Sequence, residues 1–107
     1  MAFVPVADLR DVPPGCTKQT TVGGAKILLC NVEGKIFAVS DVCTHDNGPL
    51  DQGTLDGREI ECPRHGARFD VTSGAVTCLP AILPIPTYAV QVEGSQILVA
   101  DTATVGK

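Results

Sequence analysis

Short apolar runs bounded by Gly, Pro, Asp or Asn recur along this chain. Five of them predict β-strands because they are rich in β-branched and other apolar residues: AKILLCNV, KIFAVS, REIEC, TYAVQV and QILVA. No segment repeats apolar residues at helical spacing over the ~11 residues of an average helix. Helix-like candidates are limited to a turn in ADLRDVP and another near GPLDQG. The pattern therefore predicts an all-β protein.

Two of these runs belong to similar segments, NVEGKIFAV and QVEGSQILV, each with Glu-Gly between apolar positions. A glycine that supplies positive φ there predicts a tight hairpin. One hairpin precedes and the other follows a central stretch, so a β scaffold of residues 1–41 and 84–107 is expected to flank an inserted segment of about 42–83. The proline-rich run CLPAILPIP is expected to return to the scaffold as extended chain, since proline lacks the donor of a central strand.

Composition narrows the class of protein. A chain of 107 residues is expected to form one domain, and with no Trp, one Tyr and three Phe its core must consist mainly of Val, Ile, Leu and Ala. A net charge of −4 argues against nucleic acid and anionic membrane as partners. The N-terminal stretch contains a proline and charges where a signal peptide needs an apolar run, so a soluble cytoplasmic protein is expected.

Cysteine and histidine supply the candidate chemistry. Five cysteines cannot all pair within one chain, and both histidines lie close to a cysteine, in Cys43-x-His45 and Cys62-x-x-His65. Two thiolates and two imidazoles suit either a tetrahedral zinc ion or a Cys₂His₂ [2Fe-2S] cluster. Zinc modules usually pair Cys with Cys and His with His, whereas each stretch here offers one of each, so the spacing favours the cluster.

The two stretches resemble the cluster-binding loops of Rieske proteins: C-x-H, sixteen residues, then C-x-x-H, with CTH in the first loop and CPRHG followed by FD in the second. The resemblance covers nearly the whole chain. It implies an antiparallel β-sandwich basal domain with a small inserted cluster-binding subdomain, and one Rieske [2Fe-2S] cluster. It also implies that Cys43 and Cys62 bind the inner iron, and His45 and His65 the outer iron.

Among Rieske proteins, this short stand-alone chain resembles the ferredoxin component of bacterial ring-hydroxylating dioxygenase systems. The resemblance implies a monomeric one-electron carrier, not an enzyme, between an NAD(P)H-dependent flavoprotein reductase and a terminal Rieske oxygenase that acts on aromatic compounds. Two other functions stay open at this point. One is the small Rieske subunit of an enzyme complex such as nitrite reductase, and the other is a zinc-bound interaction module.

Other residues of the loops are given smaller roles. Gly48, Gly53 and Gly66 suit backbone that approaches sulfide closely and donates N–H bonds to it, with ordinary loop glycines as the alternative. Arg64 and Arg68 flank His65 and are interpreted mainly as solubility charges, with contact to a partner's carboxylates as the alternative. The acidic residues of this region are interpreted as a solvated loop face, namely Asp46, Asp51, Asp56, Glu59 and Glu61. The remaining cysteines, Cys16, Cys30 and Cys78, are expected to be buried, inert thiols.

Departures from the wider family point away from quinol oxidation. Rieske proteins of quinol-oxidising membrane complexes carry a loop-bridging disulfide where this chain has Gly48 and Arg64. They also carry Ser and Tyr hydroxyls where it has Ala67 and Phe69. Fewer donors to the cluster predict a reduction potential near the bottom of the Rieske range, on the order of −150 mV.

Overall fold

The computed structural model describes residues 2–42, 48, 50, 53–63, 66–79 and 83–103. Eleven strands and one short 3₁₀ helix, Leu9–Asp11, form this part of the chain, and the helix confirms the turn predicted in ADLRDVP. The strands are β1 (Phe3–Asp8), β2 (Thr17–Val22), β3 (Ala25–Val32), β4 (Lys35–Ser40), β5 (Thr54–Asp56), β6 (Glu59–Glu61), β7 (Arg68–Asp70), β8 (Val76–Cys78), β9 (Thr87–Tyr88), β10 (Val90–Glu93) and β11 (Gln96–Ala100).

The strands form three antiparallel sheets, which we call the outer sheet (β1-β11-β10), the middle sheet (β2-β3-β4-β9) and the small sheet (β5-β6-β7-β8). All strands of the small sheet come from the chain between β4 and β9. The predicted all-β fold is confirmed, whereas the boundaries 42 and 83 of an inserted segment stay a prediction.

Burial of β3 on both faces explains why the sequence signals this strand so strongly. Ile27 and Leu29 lie in a core shared with Ile97 and Val99 of the outer sheet, while Leu28 lies in a second core. That second core includes Ile60 of β6, Phe69 of β7 and Val71, which directly follows β7. Successive residues of a strand point to opposite faces, so a strand buried on both sides is a continuous apolar run.

Two-residue turns close both predicted hairpins. Glu33 (φ 54°) and Gly34 (φ 94°) join β3 to β4, and positive φ at both positions is the geometry of a type I′ turn. In the second hairpin Glu93 pairs with Gln96, so the turn is Gly94–Ser95 and is shifted by one residue relative to the first.

The run TYAVQV forms two strands and not the single strand expected from its sequence. Thr87 pairs with Val39 of the middle sheet, whereas Val90 pairs with Val99 of the outer sheet, so the chain changes sheets at Ala89. The expected strand REIEC is shorter at both ends, as Glu59–Glu61. Strands β1, β2, β5, β7 and β8 were not predicted. The expected turn near GPLDQG lies largely outside the described residues, although Gly53 N–H donates to Leu50 O over 2.8 Å.

Asp8 caps the 3₁₀ helix. Its carboxylate accepts from the Arg10 backbone and side chain, and the Asp11 carboxylate accepts from the Asp8 backbone N–H. The side-chain hydrogen bond from Arg10 is the main cause that lowers the pKa of Asp8 to about 2. No helix in the described ranges is long and apolar enough to cross a membrane.

Candidate metal centre

One end of the small sheet gathers three loops. Thr54 pairs with Glu61, Glu61 with Arg68, and Arg68 with Cys78 across four antiparallel strands. The chain therefore enters β5, leaves β6, enters β7 and leaves β8 at the same end. The loops before β5, between β6 and β7 and after β8 meet there, which we call the loop end of the small sheet.

Cys62 lies in the second of these loops and is 1% exposed. Its backbone N–H donates to Ala67 O over 2.7 Å, and Gly66 N–H donates to Cys62 O over 3.1 Å. Gly66 has φ +77°, a conformation that a side chain disfavours, so the loop needs glycine there for its backbone path. These bonds hold the Cys62 side chain in a tight loop at the edge of the core.

The other three predicted ligands, Cys43, His45 and His65, lie outside the described residues, so their ligand roles stay predictions. What the structure shows of Cys62 fits a metal-bound thiolate. The thiol is free of any disulfide and is packed in the second core. A buried thiol gains most from a metal, because coordination removes its proton and satisfies the sulfur.

The first of these loops, between β4 and β5, is held by contacts at both of its ends. Asp41, which is 5% exposed, accepts the Leu50 backbone N–H over 2.8 Å at Oδ1. At the far end Gly53 packs so tightly on Glu61 that a Cβ there would overlap the Glu61 carbonyl oxygen. Gly53 therefore approaches the Glu61 backbone closely, while its expected approach to sulfide stays a prediction.

The acidic residues around β6 are not simply a solvated face. Arg68 contacts the carboxylates of Asp56 at 3.5 Å, Glu59 at 3.0 Å and Glu61 at 3.2 Å, so it forms ion pairs with three acidic residues of its own chain. The hydrogen bond to Glu59 is the first cause of the raised pKa of Arg68. Asp46, Asp51 and Arg64 lie outside the described residues.

The expectation for the remaining cysteines is wrong in two cases of three. Cys30 is buried, and desolvation, followed by the charge of Asp41, raises the pKa of its thiol to about 12. Cys16 and Cys78 are exposed. Cys16 precedes edge strand β2 and Cys78 ends edge strand β8, so each has a sheet on one side only.

Exposed apolar side chains follow β8. Leu79 and Leu83 are 71% and 60% exposed, which makes them the most exposed large hydrophobic residues in the described part of the chain. Leu79 leaves the small sheet at the loop end, next to Cys78. Residues 80–82 between the two leucines, including Pro80, lie outside the described ranges.

Asp41 was not singled out in the sequence analysis, and Arg68 was not expected to bind carboxylates of its own chain. Asp41 and the clustering role of Arg68 depend on partners that are distant along the chain, namely Leu50 for Asp41 and Asp56 and Glu59 for Arg68. A weak signal existed for Asp41, because this carboxylate ends the apolar run KIFAVS just before the first Cys/His stretch.

Comparison with known proteins shows the family to which this chain belongs. The family model described as Rieske [2Fe-2S] domain matches residues 2–89. The naphthalene 1,2-dioxygenase system ferredoxin component of Pseudomonas aeruginosa is 39% identical over 97 residues, which are 91% of this chain and 93% of that protein. The biphenyl 2,3-dioxygenase ferredoxin component of Rhodococcus jostii is 37% identical over 99 residues, 92% of each chain.

Solved structures agree with these relatives. The ferredoxin of carbazole 1,9a-dioxygenase from Nocardioides aromaticivorans superposes with a TM-score of 0.91 at 38% identity, over 95% of this chain and all of that one. A ferredoxin-like chain in a complex of reduced oxygenase and oxidised ferredoxin of carbazole 1,9a-dioxygenase also gives 0.91, at 33% identity and 96% of each chain.

Proposed function

The chain belongs to the Rieske [2Fe-2S] family, and from that premise we propose that it is the ferredoxin component of a ring-hydroxylating dioxygenase system. It carries one Rieske [2Fe-2S] cluster and is an electron carrier, not an enzyme. The observation that carries the proposal is similarity over more than nine-tenths of both lengths to ferredoxin components of naphthalene and biphenyl dioxygenase systems.

The alternative, a small subunit of nitrite reductase, is not favoured. A putative nitrite reductase small subunit superposes with a TM-score of 0.79 but is only 18% identical, a likeness that concerns the fold alone.

Ligation by Cys43, Cys62, His45 and His65 follows from the Cys₂His₂ donor set. Thiolates on one iron and imidazoles on the other make the oxidised cluster formally neutral, so that it takes up and releases one electron at a higher potential than an all-cysteine cluster. The chain's own contribution is to fix these ligands. The Cys62–Ala67 and Gly66–Cys62 hydrogen bonds hold the second loop, and the Asp41–Leu50 hydrogen bond holds the first.

The proposed partners are a flavoprotein reductase that oxidises NAD(P)H and a terminal Rieske oxygenase that acts on an aromatic compound. We expect a monomer in the cytoplasm, where thiols such as those of Cys16 and Cys78 stay reduced. The loop end of the small sheet is the proposed docking face for the oxygenase. Leu79 would be covered there on docking, which removes its apolar surface from water.

Spectroscopy and reconstitution test the proposal in sequence. Purified protein should be red-brown, with two irons and two sulfides per chain and an EPR signal of a mixed Cys/His-ligated [2Fe-2S] cluster after dithionite reduction. It should then couple NAD(P)H oxidation by a reductase to turnover of a terminal dioxygenase. Stoichiometric zinc in place of iron would overturn the ligation, whereas a normal cluster with no transfer to any such oxygenase would overturn the assignment to this system.

Paired variants test the docking face. Leu79→Ser should slow electron transfer to the oxygenase without altering the cluster spectrum. Glu33→Gln and Glu93→Gln, on the β3–β4 and β10–β11 hairpins, should leave transfer unchanged. The opposite pattern, with loss only in the hairpin variants, would place the docking face elsewhere.

A further inference from the structure

Asp41 is a buried carboxylate at the start of the first ligand loop. It is 5% exposed, and it lies one residue after β4 and two residues before Cys43. Its backbone N–H donates to Lys26 O over 3.0 Å, so its own backbone is fixed to the start of strand β3. Burying a carboxylate costs free energy unless hydrogen bonds compensate the loss of water, so this side chain needs donors inside the protein.

Both carboxylate oxygens accept hydrogen bonds from N–H groups. Leu50 N–H donates to Oδ1 over 2.8 Å, and the Gln19 side-chain amide donates to Oδ2. These two donors give each oxygen of the buried side chain a hydrogen-bond partner. The group therefore joins three separated parts of the chain: β2 through Gln19, the end of β4 through its own backbone, and the far side of the first loop through Leu50.

Contacts continue from Leu50 to the second loop. Leu50 is fully buried, and its carbonyl accepts Gly53 N–H over 2.8 Å. Gly53 in turn packs on the backbone of Glu61, the residue before Cys62. Asp41 thus begins a series of direct contacts that sets where one ligand loop stands relative to the other.

The charge of Asp41 also acts across the core. It is the second cause, after desolvation, of the raised pKa of the Cys30 thiol, which is itself fully buried. A charge inside a protein is screened less by solvent than a charge on its surface. Cys43, which carries the proposed sulfur ligand, follows Asp41 by two residues in the sequence, so the two side chains are joined by a short stretch of chain.

We propose that Asp41 closes the first ligand loop and, as a fixed buried negative charge, lowers the reduction potential of the cluster. This role rests on the proposed ligation by Cys43. Reduction adds one negative charge to the cluster, and a nearby anion disfavours that addition. At an effective dielectric constant of about 20, a unit charge about 10 Å away changes a one-electron equilibrium on the order of tenfold.

Asp41→Asn isolates the charge. Its side-chain oxygen can still accept Leu50 N–H, and the Gln19 amide can turn to accept from the new NH₂ group. We expect full cluster content and an unchanged EPR line shape, with the equilibrium constant for reduction raised on the order of tenfold, which is about 59 mV for one electron. Glu93→Gln is the matched control, since it removes one negative charge from an exposed hairpin and should change the constant about twofold at most.

Asp41→Ala and Asp41→Glu separate loop closure from charge. The alanine variant loses the bond to Leu50, so its cluster should be lost to an iron chelator several-fold faster than the wild-type cluster. The glutamate variant retains the charge, so its potential should stay within the shift of the Glu93→Gln control. A rise in the glutamate variant equal to that of Asp41→Asn would show that disturbed packing, not charge, sets the potential and would overturn the proposal.

Protein-film voltammetry at one pH and one ionic strength decides the electrostatic part. An Asp41→Asn shift no larger than that of Glu93→Gln would overturn it, and chelator resistance of Asp41→Ala equal to wild type would overturn the loop-closing part. Neither measurement uses a reductase or an oxygenase, so failure to serve a dioxygenase is a separate result. A wild-type protein without the cluster would overturn the ligation and this inference together.

Discussion

Gly53→Ala is expected to damage the metal centre without touching a ligand. Gly53 joins the first loop to β5, and a Cβ there would overlap the Glu61 carbonyl oxygen. The same atom would lie 3.1 Å from both the Glu61 carbonyl carbon and the Leu50 carbonyl oxygen. All three obstacles are backbone atoms, so no side-chain rotation relieves them. The strand start has to move away from Glu61, and the spacing between the two ligand loops changes with it.

The magnitude follows from the cost of overpacking. One extra methyl in a packed site costs about 1–3 kcal/mol, and a clash with backbone on two sides belongs at the upper end, about 3 kcal/mol. With an unfolding entropy of about 2.1 cal/mol/K per residue, that cost corresponds to a fall of roughly 13 °C in the unfolding midpoint of a chain this long. Thermal unfolding followed by circular dichroism, with iron content measured on the same samples, gives both quantities. Iron per chain should fall together with the midpoint.

Gly57→Ala is the matched control. Gly57 has φ +62° in the turn between β5 and β6, at the opposite end of the small sheet, and nothing lies within 4 Å of its Cβ position. Strain at positive φ should cost about 1 kcal/mol, or roughly 4 °C, with full iron content. If Gly53→Ala retains its iron and melts no lower than Gly57→Ala, the close approach of the two loops does not constrain the site.

Three further predictions concern reactivity, pH and potential. In the cluster-loaded protein at neutral pH, the exposed Cys16 and Cys78 should react with a thiol reagent. The buried Cys30, whose thiol has a pKa of about 12, should not react. Reaction of a third thiol while the visible spectrum of the cluster stays intact would contradict this prediction. The pKa of Asp8 is lowered from 3.8 to about 2, so its stabilising effect is complete above about pH 4 and is lost as pH falls through 2. Asp8→Asn should therefore lower the unfolding midpoint at pH 7 and progressively less toward pH 2, and an undiminished difference at pH 2 would argue against it. The reduction potential of the cluster should be on the order of −150 mV, because the fully buried Ala67 offers no hydroxyl donor. Ala67→Ser should raise this potential. A wild-type potential well above 0 mV would show that missing donors do not set it.

Strands β3, β4 and β11, each paired on both sides, were predictable from the sequence, and the edge strands β1 and β2 were not. The middle strand β3 and its neighbour β4 match the apolar runs residue for residue, as does β11 between its two partners. Strand β2 has the sequence TKQTTV and pairs only with β3, so most of its side chains face solvent and it gives no apolar run. Strand β1 contains Pro5 beside a register shift, which a search for regular strands excludes.

The change of sheet at Ala89 had no signal in the sequence. Thr87 and Val90 both suit a β-strand, and local propensity does not encode which neighbour each one pairs with. The Cys/His pattern was different in kind, because the thiolate and imidazole ligands of a Cys₂His₂ cluster can come only from Cys and His, whatever surrounds them. The roles of charged residues such as Asp41 and Arg68 depend on partners that are distant in the sequence, so the sequence alone does not reveal them.

The small sheet depends on the rest of the protein for its order. Each of its strands has three residues, too few for a sheet of this size to be stable alone. Its inward residues Ile60 and Phe69 pack with Leu28 and Val39 of the middle sheet, and Gly74 O accepts Ile85 N–H over 2.9 Å from the chain that returns to β9. Hydrophobic burial supplies the free energy that the short ladders lack, and it does so directly beneath Cys62, which belongs to the same core. Rigidity at the proposed metal centre is therefore a property of the middle sheet, so core substitutions far from any ligand should loosen the ligand loops before they unfold the outer sheet.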